Sequence, residues 1–155
     1  MHHVLTMWFK LVVKKEMQVE CFLVNFADDF VAGFQYKSEA ERYHKELKER
    51  MEKFGLELES SKSRLIEFGR FAEQNRRARG EHKPETFDFL GFTFYCSKNR
   101  KGGFAPKVQT SRKKFEQKVR AYKNWICDNR NRPMREIIKE LNVKLIGHYR
   151  YYGVT

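Results

Sequence analysis

The chain has 155 residues, 41% of them apolar and 34% charged, with a net charge of +12. That length gives one domain, or one domain and part of another, and enough chain to bury a core. The apolar content excludes an intrinsically disordered chain, and no uncharged stretch approaches membrane-spanning length.

The charge is unevenly placed. Residues 1–96 hold 16 Lys/Arg against 16 Asp/Glu, whereas residues 97–155 hold 16 against 4. A neutral part followed by a basic part points to a polyanionic partner, nucleic acid first and an anionic membrane surface second. Cys21, Cys96 and Cys127 are far apart and lack metal-ligand spacing, so they read as free thiols in a reducing compartment. The first ten residues carry no basic leader before their apolar run. The expected location is the cytoplasm.

In chain order, Val4, Leu5, Trp8, Phe9 and Val12 recur at helical spacing over residues 3–14. Residues 19–26 and 30–36 are rich in Val, Phe and Tyr and read as two strands. Between them lie Ala27, Asp28 and Asp29. Adjacent carboxylates inside an apolar hairpin repel each other, and a divalent cation with hard oxygen ligands would offset that cost. A bare Asp-Asp pair also reads simply as a polar turn.

Ser38 and Glu41 have capping-box spacing, and Ala40, Tyr43, Leu47, Met51 and Phe54 form an apolar stripe that ends at Gly55. Glu46 and Arg50 have the spacing of an i,i+4 pair. Residues 56–59 and 64–68 read as short strands around the turn at 60–63, and residues 69–86 as an exposed polar loop. Phe87 to Phe94 alternates around Gly91, where a glycine inside a strand marks close approach of a backbone or ligand. Residues 98–103 read as a turn and 104–108 as the returning strand. Ser111 is placed to cap a helix with the stripe Phe115, Val119, Tyr122 and Ile126. Pro133 suits the first turn of a last helix whose core side is Ile137, Ile138, Leu141 and Leu145, with a break near Asn142. Tyr122, Trp125 and Tyr149 read as core residues before they read as stacking platforms for bases. His44, His82 and His148 are isolated.

The run Phe26-Ala-Asp-Asp-Phe30 between two apolar strands resembles the aromatic-x-Asp-Asp signature of reverse transcriptases. Phe54-Gly-Leu-Glu-Leu58, Lys62-Ser-Arg64 and Phe87-Asp-Phe-Leu-Gly-Phe92 follow in the order that family has. Together they resemble the group II intron-type reverse transcriptases (maturases), over nearly the whole chain.

That resemblance implies an α+β fold. Residues 1–108 would be an incomplete polymerase palm, an antiparallel sheet with helices on one face. Residues 109–155 would be a helical, basic, partial thumb. It implies RNA-directed DNA polymerase activity by two-metal nucleotidyl transfer, with two Mg²⁺ ions held in part by Asp28 and Asp29. Lys62 matches a lysine placed near the leaving pyrophosphate. Leu90 and Gly91 would belong to a primer-grip hairpin. Lys98, Arg100, Lys101, Lys107, Arg112, Lys113, Lys114 and Lys118 would contact phosphates. The implied partners are an RNA template, intron RNA, a primer duplex and deoxynucleoside triphosphates, with no membrane. Phe26 stands where many relatives have Tyr.

The family's third metal-binding Asp and its fingers would precede Met1, so the chain looks truncated and is expected to be inactive alone. Two other readings stand beside this one. One is a non-catalytic RNA-binding module that assists intron splicing. The other is a decayed remnant, stable only with a chain that supplies the missing fingers and palm strands.

Overall fold

The computed structural model describes residues 2–59 and 62–153. The fold is α+β, with two small antiparallel sheets and helices. The chain forms two compact units, residues 1–67 and 68–155.

The first unit opens with two π-helical stretches, His2–Met7 and Phe9–Val13, and a single α turn, α1 (Lys14–Glu16). Leu5, Phe9, Val13 and Met17 are buried at steps of four, with Trp8 beside them. An α-helical period expects Val12 in that stripe. The i→i+5 winding puts more residues in each turn, so Val13 points inward and Val12 is exposed. A hairpin of β1 (Phe22–Phe26) and β2 (Asp29–Gly33) follows, then α2 (Lys37–Lys53).

Tyr43 on α2 is the hub of this unit. Its ring stacks on Trp8 at 5.6 Å between centroids, meets Phe9 edge-on at 5.6 Å and lies 4.9 Å from Phe34. Burial pushes its phenol well above the usual tyrosine value, with the nearby Cys21 adding to the shift, so Tyr43 stays neutral. Leu47 and Met51 continue the buried stripe, and Leu23, Phe30 and Ala32 pack against it from the hairpin.

Local expectations for α2 are partly corrected. The helix begins at Lys37, so Ser38 sits inside the first turn and makes no capping bond. Glu39 is buried there and accepts the Gln18 N–H at 2.8 Å. Glu46 pairs with Arg42 at 3.3 Å. Arg50 instead donates to the Val4 carbonyl at 2.7 Å, with its guanidinium over Trp8 and Phe54. The C-terminus ends as the glycine predicts. Gly55 has φ +66°, its N–H bonds the Glu52 carbonyl, and the Leu56 N–H bonds the Met51 carbonyl. Residues 56–59 and 64–68 have no regular secondary structure, and among the described residues neither pairs into a sheet. Ser60 and Ser61 of the intervening turn lie outside the described residues.

The second unit contains α3 (Ala72–Ala78), a meander of β3 (Phe87–Phe89), β4 (Phe92–Lys98) and β5 (Phe104–Thr110), and then α4 (Arg112–Asp128) and α5 (Met134–Tyr152). The segment read as a loop thus contains a helix. Its charges satisfy one another: Arg76 bridges Glu81 and Glu85 at 3.2 and 3.3 Å, and Arg77 pairs with Glu73. No apolar period is needed to hold such a segment, which is why the sequence pattern misses it. Residues 87–94 are not one strand. They turn at Leu90-Gly91, so Phe87 pairs with Phe94 and their rings stack at 5.0 Å. The stripe Phe115, Val119 and Ile126 on α4 is exposed, not buried, and α4 has no buried residue at all. Ile138 on α5 is also exposed, while Ile137 is buried, and α5 runs unbroken past Asn142.

Burial of Leu47 against exposure of Ile138 gives a direct contrast. Leu47→Ala should lower stability by about 2–5 kcal/mol, whereas Ile138→Ala should change it by less than about 0.5 kcal/mol. Urea unfolding followed by circular dichroism reads both.

Candidate nucleotidyl-transfer and nucleic-acid sites

The acidic turn is a two-residue hairpin loop. Phe26 pairs with Asp29, so Ala27 and Asp28 form the turn and Asp29 is the first residue of β2. This corrects the expectation that all three belong to the turn. Ala27 takes φ +50°, a left-handed conformation that a Cβ disfavours. Cross-strand partners share a face, so Asp29 lies with Phe26, Val24 and Val31 on the face opposite Leu23, Asn25, Phe30 and Ala32. That face is open: Phe22, Val24 and Phe26 are all exposed, as are Asp28 and Asp29. The turn therefore projects two carboxylates into solvent beside aromatic surface.

Lys62 is exposed and pairs with Glu59. Its ammonium is held above the ordinary lysine value, first by the hydrogen bond from Lys62 to Glu59, then by the Glu59 charge and, more weakly, by that of Asp29. The carboxylates are hard oxygen donors of the kind that suits Mg²⁺. Among the described residues, no group of three or more His, Cys, Asp and Glu side chains converges. Asp28 and Asp29 therefore fit part of a coordination shell, and other oxygens would have to complete it.

The second candidate region lies in the other unit. Leu90 and Gly91 form a tight turn in which both have positive φ, +51° and +81°, as a type I′ turn requires. Leucine is a poor residue there. The turn is held from three sides. Tyr151 on α5 donates to the Leu90 carbonyl at 2.9 Å, and the Ser111 N–H donates to the Gly91 carbonyl at 2.9 Å. The Tyr152 hydroxyl lies 2.9 Å from where a Cβ on Gly91 would stand. The sequence reading expects a backbone or a ligand to approach Gly91 within a strand; Gly91 instead lies in the turn, and the approaching group is the Tyr152 side chain. Asp88 accepts hydrogen bonds from Ser111 Oγ at 3.1 Å and from Thr93 Oγ1. It anchors the start of α4 to the hairpin.

The cations fall into two sets. Lys98, Arg100 and Lys101 surround the β4–β5 turn, which Asn99 shapes by accepting the Lys101 and Gly103 N–H groups at 3.0 and 2.9 Å. Lys107 is exposed on β5, and Arg112, Lys113, Lys114 and Lys118 are exposed on α4. Lys98 pairs with Glu73 at 3.1 Å and Arg112 with Glu116 at 2.7 Å. Both pairs are exposed, so they are weak and salt-screened, and a phosphate can compete for these cations. Lys144, His148, Tyr151 and Tyr152 were not picked out as site residues from the sequence. Their spacing of four, three and one along α5 was the available signal, since it puts 144, 148 and 151 on one helix face.

The profile of one protein family, described as "Reverse transcriptase (RNA-dependent DNA polymerase)", matches residues 1–94. No curated protein and no solved structure matches the chain.

The two tight turns predict opposite responses to exchanging alanine and glycine. Ala27→Gly should raise stability by up to about 1 kcal/mol, because it relieves a left-handed Cβ. Gly91→Ala should lower stability by more than about 1 kcal/mol, because it adds both the left-handed strain and a collision with Tyr152. Thermal and urea unfolding of the two variants should move in opposite directions.

Proposed function

This chain belongs to the reverse transcriptase (RNA-dependent DNA polymerase) family, and from that premise we propose that it carries the metal-binding palm hairpin and a partial thumb of a group II intron-type enzyme. The observation that carries the reading is the two-residue hairpin turn, which leaves the adjacent Asp28 and Asp29 exposed at the tip of β1 and β2.

In nucleotidyl transfer, one cation activates the primer hydroxyl and a second holds the triphosphate and the leaving oxygen. Asp28 and Asp29 would hold those Mg²⁺ ions in part. Ala27, with its small side chain, leaves room beside them for the primer end. Lys62 would meet the leaving pyrophosphate as a cation, as an exposed lysine is throughout the neutral range. Residues 1–108 are assigned to the palm and 109–155 to the thumb. Leu90 and Gly91 would meet the primer backbone. Lys98, Arg100, Lys101, Lys107, Arg112, Lys113, Lys114 and Lys118 would bind phosphates of an RNA template and primer duplex without reading sequence. Deoxynucleoside triphosphates are the proposed second substrate, and the cytoplasm the proposed site of action. Among the described residues, no helix is long and apolar enough to cross a membrane.

The two carboxylates are an incomplete ligand set, so the 155 residues alone are proposed not to polymerise. A chain that contributes a further carboxylate and the triphosphate site would be needed. The second reading, an RNA-binding module that aids intron splicing, is favoured by the basic excess of residues 97–155.

Asp28→Ala separates these readings. In an assembly of this chain that extends a primer on RNA, the variant should lower the rate by about 1000-fold, while RNA affinity stays within about twofold. Primer extension that survives the change would contradict the metal assignment. Extension by the purified 155 residues alone would overturn the proposed dependence on a partner chain.

A further inference from the structure

Helices α4 and α5 are joined by a short connection and meet where Tyr122 and Trp125 touch Lys144, and residues of both line an open groove of about 620 Å³. Lys118, Tyr122 and Trp125 line it from α4, and Lys144, Gly147 and His148 from α5. The sequence reading takes Tyr122 and Trp125 as core residues and Lys118 as a phosphate contact. In the structure all three line one concave surface.

Four features mark this groove, and the first two lack an explanation in the packing of the chain itself. The first is Gly147, in the interior of α5, where glycine is unfavourable relative to alanine. A Cβ there would meet no atom within 4 Å, so no neighbour in the fold requires the glycine. The second is His148, whose Nδ1 is buried without a hydrogen-bond partner. Such an orphaned group is costly and calls for a partner. The third is the pairing of cations with rings: Lys144 Nζ lies 5.1 Å from the centre of the Trp125 ring, and Lys118 Nζ lies 5.8 Å from that of Tyr122. The fourth is that Tyr122 is fixed, its hydroxyl donating to the Lys144 carbonyl at 3.0 Å, so the walls of the groove are braced.

We propose that this groove is a binding site for an unpaired nucleotide of single-stranded RNA. A nucleotide offers a flat ring and an anion one sugar apart. Trp125 and Tyr122 supply surface for the ring, and Lys118 and Lys144 swing from their rings to the flanking phosphates. The missing side chain at Gly147 leaves space for the ligand to reach the floor of the groove. The volume lies in the range of small-molecule pockets and holds one or two nucleotides, not a duplex. Of the phosphate contacts proposed above for a duplex the site shares only Lys118, and it does not depend on the polymerase reading.

Trp8 and Trp125 are the two tryptophans of the chain, so Trp8→Phe leaves Trp125 as the sole indole reporter. Titration of that protein with a seven-nucleotide single-stranded RNA should quench its fluorescence saturably. The same RNA annealed to its complement should bind, by anisotropy, with little quenching. Adding Gly147→Leu, which fills the groove with a good helix former, should weaken the quenching titration at least tenfold. Lys118→Ala with Lys144→Ala should do the same while far-ultraviolet circular dichroism stays unchanged. Quenching that is absent, equal with the duplex, or unaltered by Gly147→Leu in a variant of normal helicity would overturn the proposal. The readout needs no polymerisation, so it fails or succeeds independently of the assignment of Asp28.

Discussion

A residue with a Cβ in the left-handed region costs about 1–2 kcal/mol, and this chain accepts that cost at two hairpin tips, Ala27 and Leu90. Each tip is a two-residue turn between strands whose registers leave no extra residue to relax it. Strain of this kind persists only where the surroundings over-determine the backbone. At Ala27 the surroundings are the inner face of the hairpin, where the partly buried Leu23, Phe30 and Ala32 pack against the core around Tyr43. At Leu90 they are the hydrogen bonds from Tyr151 and Ser111 and the packing of Tyr152. The first tip presents adjacent carboxylates. The second presents backbone held by Tyr151 and Ser111.

The two units divide the chemistry by charge. The first is near neutrality, and its packing is conventional: an aromatic cluster covered by an amphipathic helix. The second carries much of the basic excess, and its helices bury little. Phe115, Val119 and Ile126 on α4 remain exposed, and α5 is tied to the β-meander through Phe92, whose ring lies 5.7 Å from Tyr151 and 5.3 Å from Tyr152. Aromatic contacts and tyrosine hydroxyls hold this unit together more than aliphatic burial does. That explains how a surface with so many cations keeps a defined groove and a defined turn.

The hairpin, α2 with its glycine stop, and the two long helices were legible in the sequence because each rests on a periodic apolar pattern or a turn residue. The errors have physical sources. The capping box failed because a buried Glu39 and a helix start at Lys37 outweighed Ser38. The helix at 72–78 was invisible because ion pairs, not apolar periodicity, support it. Segments 56–59 and 64–68 have strand-like composition, but a strand needs a partner, which local sequence cannot supply. The turn at Leu90-Gly91 was missed because leucine is a rare residue for a left-handed position. The acidic turn was legible as a site from Asp28 and Asp29. The groove was not, since it needs two helix faces, each unremarkable alone, to meet.

The proposed function stands on the proposal that Asp28 and Asp29 together bind a cation at the hairpin tip. The most direct test is to titrate the folded chain with Mn²⁺ and follow the backbone amide resonances. Paramagnetic broadening is predicted to begin at residues 27–30, to spread to Lys62, and to be competed by Mg²⁺. Broadening that is scattered over the acidic surface of α2, or absent from the turn while other carboxylates respond, would contradict the account.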